Sequence, residues 1–259
     1  MSHEEAFVSD RSALVTGGSS GIGLAVARAL VDEGWRVTVA AREVSKLDAA
    51  AEELRDLGRG QVATHAVNLT RDGTVDAMVA GHLDQFGGLD LLVNNAGVGF
   101  VGPIVERSVK ALDLEIALNF RSAYRSIQVS IPALRAAAQR HGKALIVNVS
   151  SLAARENPPN GSVYAATKAA LVALSHSAHA ELSRHGVQVT ALMPGFVDTP
   201  GTAWADPAIR DQMIPASDVA EAVLFLLRTS SRCFVPEIMM TTAGPGVLHS
   251  PIDWDTAAT

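Results

Sequence analysis

Cysteine occurs once in these 259 residues, at Cys233. A single thiol excludes an internal disulfide framework and any cysteine cluster around zinc. Basic residues are outnumbered, 21 against 27, which leaves a formal net charge of −6 with histidine neutral. That balance argues against a nucleic-acid binder and supplies no polybasic patch for a membrane surface. No apolar run approaches the ~18 residues of a membrane span, and residues 1–10 are acidic without an apolar signal core. The expectation is a cytoplasmic protein with no nucleic-acid or membrane partner. Lysine appears only four times (Lys46, Lys110, Lys143, Lys168) and tyrosine twice (Tyr124, Tyr164). Any pairing of these two scarce types therefore carries weight.

What is plentiful points to a packed core. Hydrophobic residues make up 48% of the chain, and at this length roughly 70–75% of the unfolded surface can be buried. Short β-branched runs at 12–15, 36–40, 61–67, 89–93, 144–149, 187–192 and 234–240 read as strands. Between them, Ala/Leu-rich stretches of helical period cover 21–33, 44–57, 74–86, 109–139, 162–184 and 217–227. The 109–139 stretch is long for one helix, although Pro132 inside it need only kink it. Runs such as Ala144-Leu-Ile-Val-Asn-Val149 are continuously apolar rather than alternating, so both sheet faces should be covered. The predicted class is α/β: a Rossmann-like, doubly wound parallel sheet of about seven strands with helices on both faces. No linker or internal repeat divides it, so residues 1–259 read as one domain with a short tail at 1–10. A lid over the substrate is expected at about 196–216, carrying Trp204.

The unusual polar and glycine motifs all follow predicted strands, which in an open parallel sheet places them along one edge. The first joins strand to helix: Thr16, Gly17, Gly18, Ser19, Ser20, Gly21, Ile22 and Gly23. Glycines there allow positive φ and a close backbone approach, and the N-terminus of the following helix suits a pyrophosphate. The spacing is G-x3-G-x-G; the alternative is a glycine-rich turn without a ligand. After the second strand the chain reads Val39-Ala-Ala-Arg-Glu43. An acidic residue at this point accepts from a ribose 2′-hydroxyl, whereas an arginine pairs with a 2′-phosphate. Ala41 stands in the acid's place and Arg42 follows, so NADP(H) is expected over NAD(H). The competing reading has Arg42 pairing with Glu43 on a surface turn.

Tyr164 and Lys168 are four residues apart and share a helix face. A phenol of pKa about 10 exchanges protons poorly at neutral pH, and a neighbouring ammonium is expected to lower that value. An exposed helical pair is the plain alternative. Ser151 ends the fifth strand, where its hydroxyl can donate to a developing alkoxide, with Ser150 as its competitor. Asn119 lies in the long helical region, and a buried amide there is suited to holding a water against Lys168.

Together these residues resemble the short-chain dehydrogenase/reductase family, over about residues 11–243. Thr16–Gly23 is similar to that family's cofactor loop. Asn94, Asn95, Ala96 and Gly97 are similar to its segment beside the adenine and central sheet, and Asn68 and Leu69 to its adenine contact, where Asn68 replaces a common aspartate. Asn119, Ser151, Tyr164 and Lys168 fall on its catalytic tetrad. Pro194, Gly195, Val197 and Thr199 fall on its nicotinamide-side motif. The resemblance implies hydride transfer from NADPH to a carbonyl carbon. Ser151 would hold the oxygen, Tyr164 would protonate it and Thr199 would fix the carboxamide. It also implies a homotetramer or homodimer acting on a small carbonyl or alcohol substrate. The rival readings are an NAD(H)-dependent alcohol dehydrogenase of the same family and a catalytically silent dinucleotide-binding sensor. His176 and His179 lack a third ligand, so no metal is expected. Cys233 reads as a small apolar filler of the last strand, and Phe100, Phe196 and Trp204 as an apolar lining of the cleft.

Overall fold

The computed structural model describes residues 10–243. Strand and helix alternate through the first half: β1 (Ser12–Thr16), α1 (Gly21–Asp32), β2 (Arg36–Ala41), α2 (Val44–Arg55), β3 (Gln61–Ala66), α3 (Thr74–Phe86) and β4 (Leu91–Asn94). Then come α4 (Val109–Glu115), a π-helical stretch (Ile116–Arg121), α5 (Ser122–His141), β5 (Ala144–Val149), α6 (Ala153–Glu156) and α7 (Ser162–Leu182). The chain ends with β6 (Val187–Pro194), β7 (Val197–Asp198), α8 (Pro207–Arg210), β8 (Ile214–Pro215), α9 (Ala216–Arg228) and β9 (Glu237–Met240).

Seven strands form one parallel sheet in the order β3-β2-β1-β4-β5-β6-β9. The continuous apolar runs are explained by the two faces. Alternate residues of a strand point to opposite sides, and here both sides are filled. Ala13, Val15, Leu91, Val93, Leu145 and Val147 pack with α1, α2 and α9. Leu14, Leu92 and Ile146 pack with α3, α5 and α7. The chain steps outward from β1 to β3, then crosses back to β4 on the other side of β1. That reversal leaves a crevice at the carboxyl ends of β1 and β4, where open α/β sheets bind ligands.

The structure departs from the sequence reading in three places. The 109–139 stretch is interrupted at Ile116–Arg121 rather than at Pro132, which lies inside an unbroken α5. The last strand begins only at Glu237, and Cys233 is exposed in the loop before it instead of filling the core. The segment at 196–216 carries a small parallel sheet of its own, pairing Val197 with Ile214 and Asp198 with Pro215. The expected tail at 1–10 lies, apart from Asp10, outside the described residues. Among those residues, no helix is long and apolar enough to cross a membrane.

Candidate active site

The glycine loop is shaped by contacts that leave no room for side chains. Gly17 and Gly21 have φ of +66° and +54°. A Cβ on Gly23 would lie 2.3 Å from the Gly17 carbonyl oxygen, and one on Gly21 would meet Thr199 Cγ2 at 3.1 Å. Ser20, the residue before α1, makes no side-chain cap, so the first N–H groups of that helix are left for an anion. A nucleotide's pyrophosphate fits this cradle. Thr16 ties the loop to the sheet. Its Oγ1 donates to the Val93 carbonyl (3.3 Å) and accepts from Asn95 N–H (3.0 Å) and Ala96 N–H (3.1 Å), tying β1 to β4. Asn95 Nδ2 returns the link, donating to the carbonyls of Thr16 (3.0 Å) and Gly17 (3.2 Å). Both residues therefore build the loop's geometry.

Along the same edge, Arg42 projects from the end of β2 with 75% of its side chain exposed, its nearest acid oxygen 3.8 Å away on Glu43. Glu43 is itself engaged by Lys46 at 2.9 Å. Asn68 Oδ1 accepts from Thr70 N–H (3.2 Å) and Oγ1 (2.8 Å), and Leu69 is buried beneath it. Pro194 ends β6 and accepts Leu152 N–H at 3.0 Å, while Gly195 N–H donates to Met240 O at 2.8 Å. Val197 is buried in the core and Thr199 sits against Gly21.

A cleft of about 400 Å³ runs from Ile22, Asn95 and Gly97 to Ser151, Tyr164 and Lys168, with Phe100, Phe196 and Trp204 on its walls. The two serines after β5 separate by direction. Ser150 Oγ donates to the Lys168 carbonyl at 2.8 Å and is buried. Ser151 lines the cleft with the Tyr164 phenol, and its Oγ accepts from Ala153 N–H at 3.2 Å. Lys168 Nζ donates to the Val149 carbonyl at 2.8 Å and stands 5.6 Å from the centre of the Tyr164 ring. Asn119 is carried by the π-helical stretch, a device that often re-aims side chains at functional sites. Its Oδ1 accepts Val98 N–H (2.8 Å), and its Nδ2 donates to Val98 O (2.8 Å) and Thr167 Oγ1 (3.0 Å). The Asn119 amide thus clamps the loop after β4 that leads into the cleft.

The electrostatics correct the sequence reading. Burial raises the Tyr164 phenol above its ordinary value, the Ser151 hydrogen bond opposes this, and the charge of Glu115 adds to it. Burial also brings the Lys168 ammonium down to about 8. Spacing on a helix brings the two groups together but does not reveal that both are desolvated, and desolvation disfavours each charged form.

Glu115 was not singled out by its sequence context, an acid at the end of a Leu/Ala-rich turn. The only pointer is its spacing, one helical turn before Asn119. His176 and His179 do not converge. His176 Nε2 lies 2.9 Å from Glu237, and the His179 ring stacks on Phe234 at 3.4 Å.

Comparisons with known proteins agree with this architecture. The pattern of the short chain dehydrogenase family matches residues 11–208. A protein of Staphylococcus saprophyticus, described as an uncharacterized oxidoreductase, is 32% identical over 229 residues, covering 88% of this chain and 96% of its own. A metagenomic short-chain oxidoreductase solved in complex with NADP is 34% identical with a TM-score of 0.78, covering 90% of this chain and 97% of its own. A 3-ketoacyl-(acyl-carrier-protein) reductase from Brucella melitensis, solved with NADH, is 28% identical with a TM-score of 0.81, over 88% and 96%.

Proposed function

This chain belongs to the short-chain dehydrogenase/reductase family, a family of NAD(P)-dependent oxidoreductases, and from that premise we propose that it is an NADP(H)-linked carbonyl reductase with Tyr164 as its proton donor. The observation that carries the reading is the convergence of Ser151, Tyr164 and Lys168 on the same cleft that begins at the glycine loop. A carbonyl oxygen placed between the two hydroxyls would be polarised by Ser151 and protonated by Tyr164. A phenol, whose ordinary pKa is about 10, is suited to giving a proton, which is the demand of reduction. The nicotinamide, when bound, supplies the hydride.

The chain's own residues divide the remaining work. The first turn of α1, with Gly17, Ser19, Ser20, Gly21, Ile22 and Gly23, would hold the pyrophosphate, and Arg42 the 2′-phosphate. Asn68 and Leu69 would flank the adenine. Asn95, Ala96, Gly97 and Lys168 would line the sugar and ring positions, with Pro194, Gly195, Val197 and Thr199 closing the nicotinamide side. Ala41 at the end of β2 and the largely exposed Arg42 after it support NADP(H), with Glu43 shared between Arg42 at 3.8 Å and Lys46 at 2.9 Å. The segment 196–216 acts as the lid, bringing Trp204 over the cleft. Exposed Val109, Leu114, Ile116 and Tyr124 support a homodimer or homotetramer.

The test is a panel of ketones, keto-esters, quinones, steroids and sugars, with NADPH absorbance as readout. Steady NADPH consumption with at least one neutral carbonyl is expected. Tight NADPH binding with no consumption across the panel would favour a silent sensor and overturn the reductase reading.

A further inference from the structure

Glu115 closes α4 with none of its surface exposed. A buried carboxylate without partners costs several kcal/mol, so what satisfies this one matters. Its Oε1 accepts the Phe100 N–H at 3.0 Å. Its Oε2 accepts from the Arg107 guanidinium at 3.2 Å, and that side chain is only 14% exposed. The same guanidinium carbon lies 5.4 Å from the centre of the Phe100 ring. One member of the ion pair thus holds the backbone of Phe100 while the other faces its ring. Four residues further on, Asn119 takes both the N–H and the carbonyl of Val98. Residues 98 and 100 are held from one helical edge, and Gly99 between them meets the flat of Tyr164, where a Cβ would come within 2.9 Å of Cδ2.

We propose that the Glu115–Arg107 pair is a positioning unit for this site, pressing residues 98–100 against the Tyr164 ring and setting Phe100 as a wall of the substrate cleft. Its consequence for catalysis rests on Tyr164 being the proton donor; the clamp itself does not. Neither Glu115 nor Arg107 touches the reacting atoms, and both act through Gly99 and Phe100. The groups facing the phenol are Lys168 from its own helix, Ser151 after β5 and Glu115 from α4, with Arg107 behind Glu115. The 97–99 segment adds no titratable group. Neutralising Glu115 leaves the Arg107 cation in place and so favours the phenolate.

Hydrogen exchange on the full chain reads the clamp without any substrate. In the wild type, the amides of Val98 and Phe100 should exchange at least tenfold more slowly than those of exposed Ile104 and Val105. Glu115→Gln and Arg107→Met should speed exchange at residues 98–100 while leaving β1, β4 and β5 unchanged. A second readout uses the scarcity of tyrosine. Replacing exposed Tyr124 by Phe leaves Tyr164 as the sole phenol, whose ionisation is followed by absorbance. Glu115→Gln should move that ionisation to lower pH, and Arg107→Lys should leave it near the wild type. Fast wild-type exchange at 98–100, or a Glu115→Gln protein unchanged in both exchange and phenol titration, overturns the proposal. Should Glu115→Gln fail to fold, the wild-type exchange pattern and Arg107→Met decide it. A chain that consumes no carbonyl would defeat the proposed activity while leaving both readouts intact, so the two failures are distinguishable.

Discussion

The Tyr164 ring lies against the backbone of Gly99, so close that a Cβ at residue 99 would stand 2.9 Å from Cδ2 and 3.2 Å from Cε2. Contacts under about 3 Å are not sustained by real side chains, so Gly99→Ala must push the ring or the segment aside. The phenol would then leave its alignment with Ser151. A displacement of about 1 Å at a reacting group can cost ~10²-fold in rate. Gly99→Ala should therefore lower kcat by ten- to a hundredfold with NADPH affinity changed less than threefold, read by steady-state kinetics and a coenzyme titration. Unchanged kcat would show that the packing of the ring is irrelevant.

The two serines after β5 make different predictions. Ser151→Ala removes the hydroxyl that shares the cleft with the phenol, and loss of one such donor typically costs ~10²–10³ in kcat. Tyr164→Phe should keep NADPH binding and lose ~10²-fold or more, since the proton donor itself is gone. Ser150 donates to the Lys168 carbonyl and faces the core. Ser150→Ala should show mainly as about 1 kcal/mol of stability in urea melts, with a loss of rate far smaller than that of Ser151→Ala. Equal rate losses for both serines would refute the division of roles.

The fold was legible because its code is local and repeated. Leu14, Leu92 and Ile146 face one layer while their neighbours face the other, and this double burial is written as continuous apolar runs. The ligand edge was legible for the same reason, as every motif follows a strand. Three things were not. The π-helical turn at Ile116–Arg121 depends on what Asn119 reaches across space, a partner at Val98 that no local pattern names. The upward shift of the Tyr164 phenol comes from desolvation, and helical spacing speaks only of neighbours. Glu115 looked like any other acid near a helix end, because its partners Phe100 and Arg107 come from a loop whose path the sequence does not state.

Arg42 bears on coenzyme choice. Its exposed guanidinium is 3.8 Å from Glu43, while Glu43 is held by Lys46 at 2.9 Å. If Arg42 meets a 2′-phosphate, Arg42→Ala should weaken NADPH about tenfold, equivalent to about 1.4 kcal/mol, and leave NADH untouched. Fluorescence titration of each coenzyme against wild type and variant gives the comparison. Equal wild-type affinities for the two coenzymes would remove the basis for the preference.

Stability toward acid should depend on His82, which α3 buries beside β2. Its Nδ1 accepts from Thr38 Oγ1 at 2.8 Å and its Nε2 donates to Gly88 O at 3.0 Å, so the folded state wants the neutral ring. Burial, the largest cause, drives its pKa down to about 4, with the Arg36 charge adding to the effect and the Gly88 bond opposing it. The unfolded chain binds this proton near pH 6.5 and the folded chain only near 4. Between those values the unfolded state holds more protons, so stability is full above about 6.5 and falls as pH drops through the window. For this group alone the loss amounts to roughly 3 kcal/mol by pH 4. Urea melts at pH 7, 5.5 and 4.5 should show that decline in the wild type, and His82→Gln, less stable at pH 7, should decline less steeply by up to one proton's worth of slope. Parallel declines in the two proteins would mean that another group sets the acid limit.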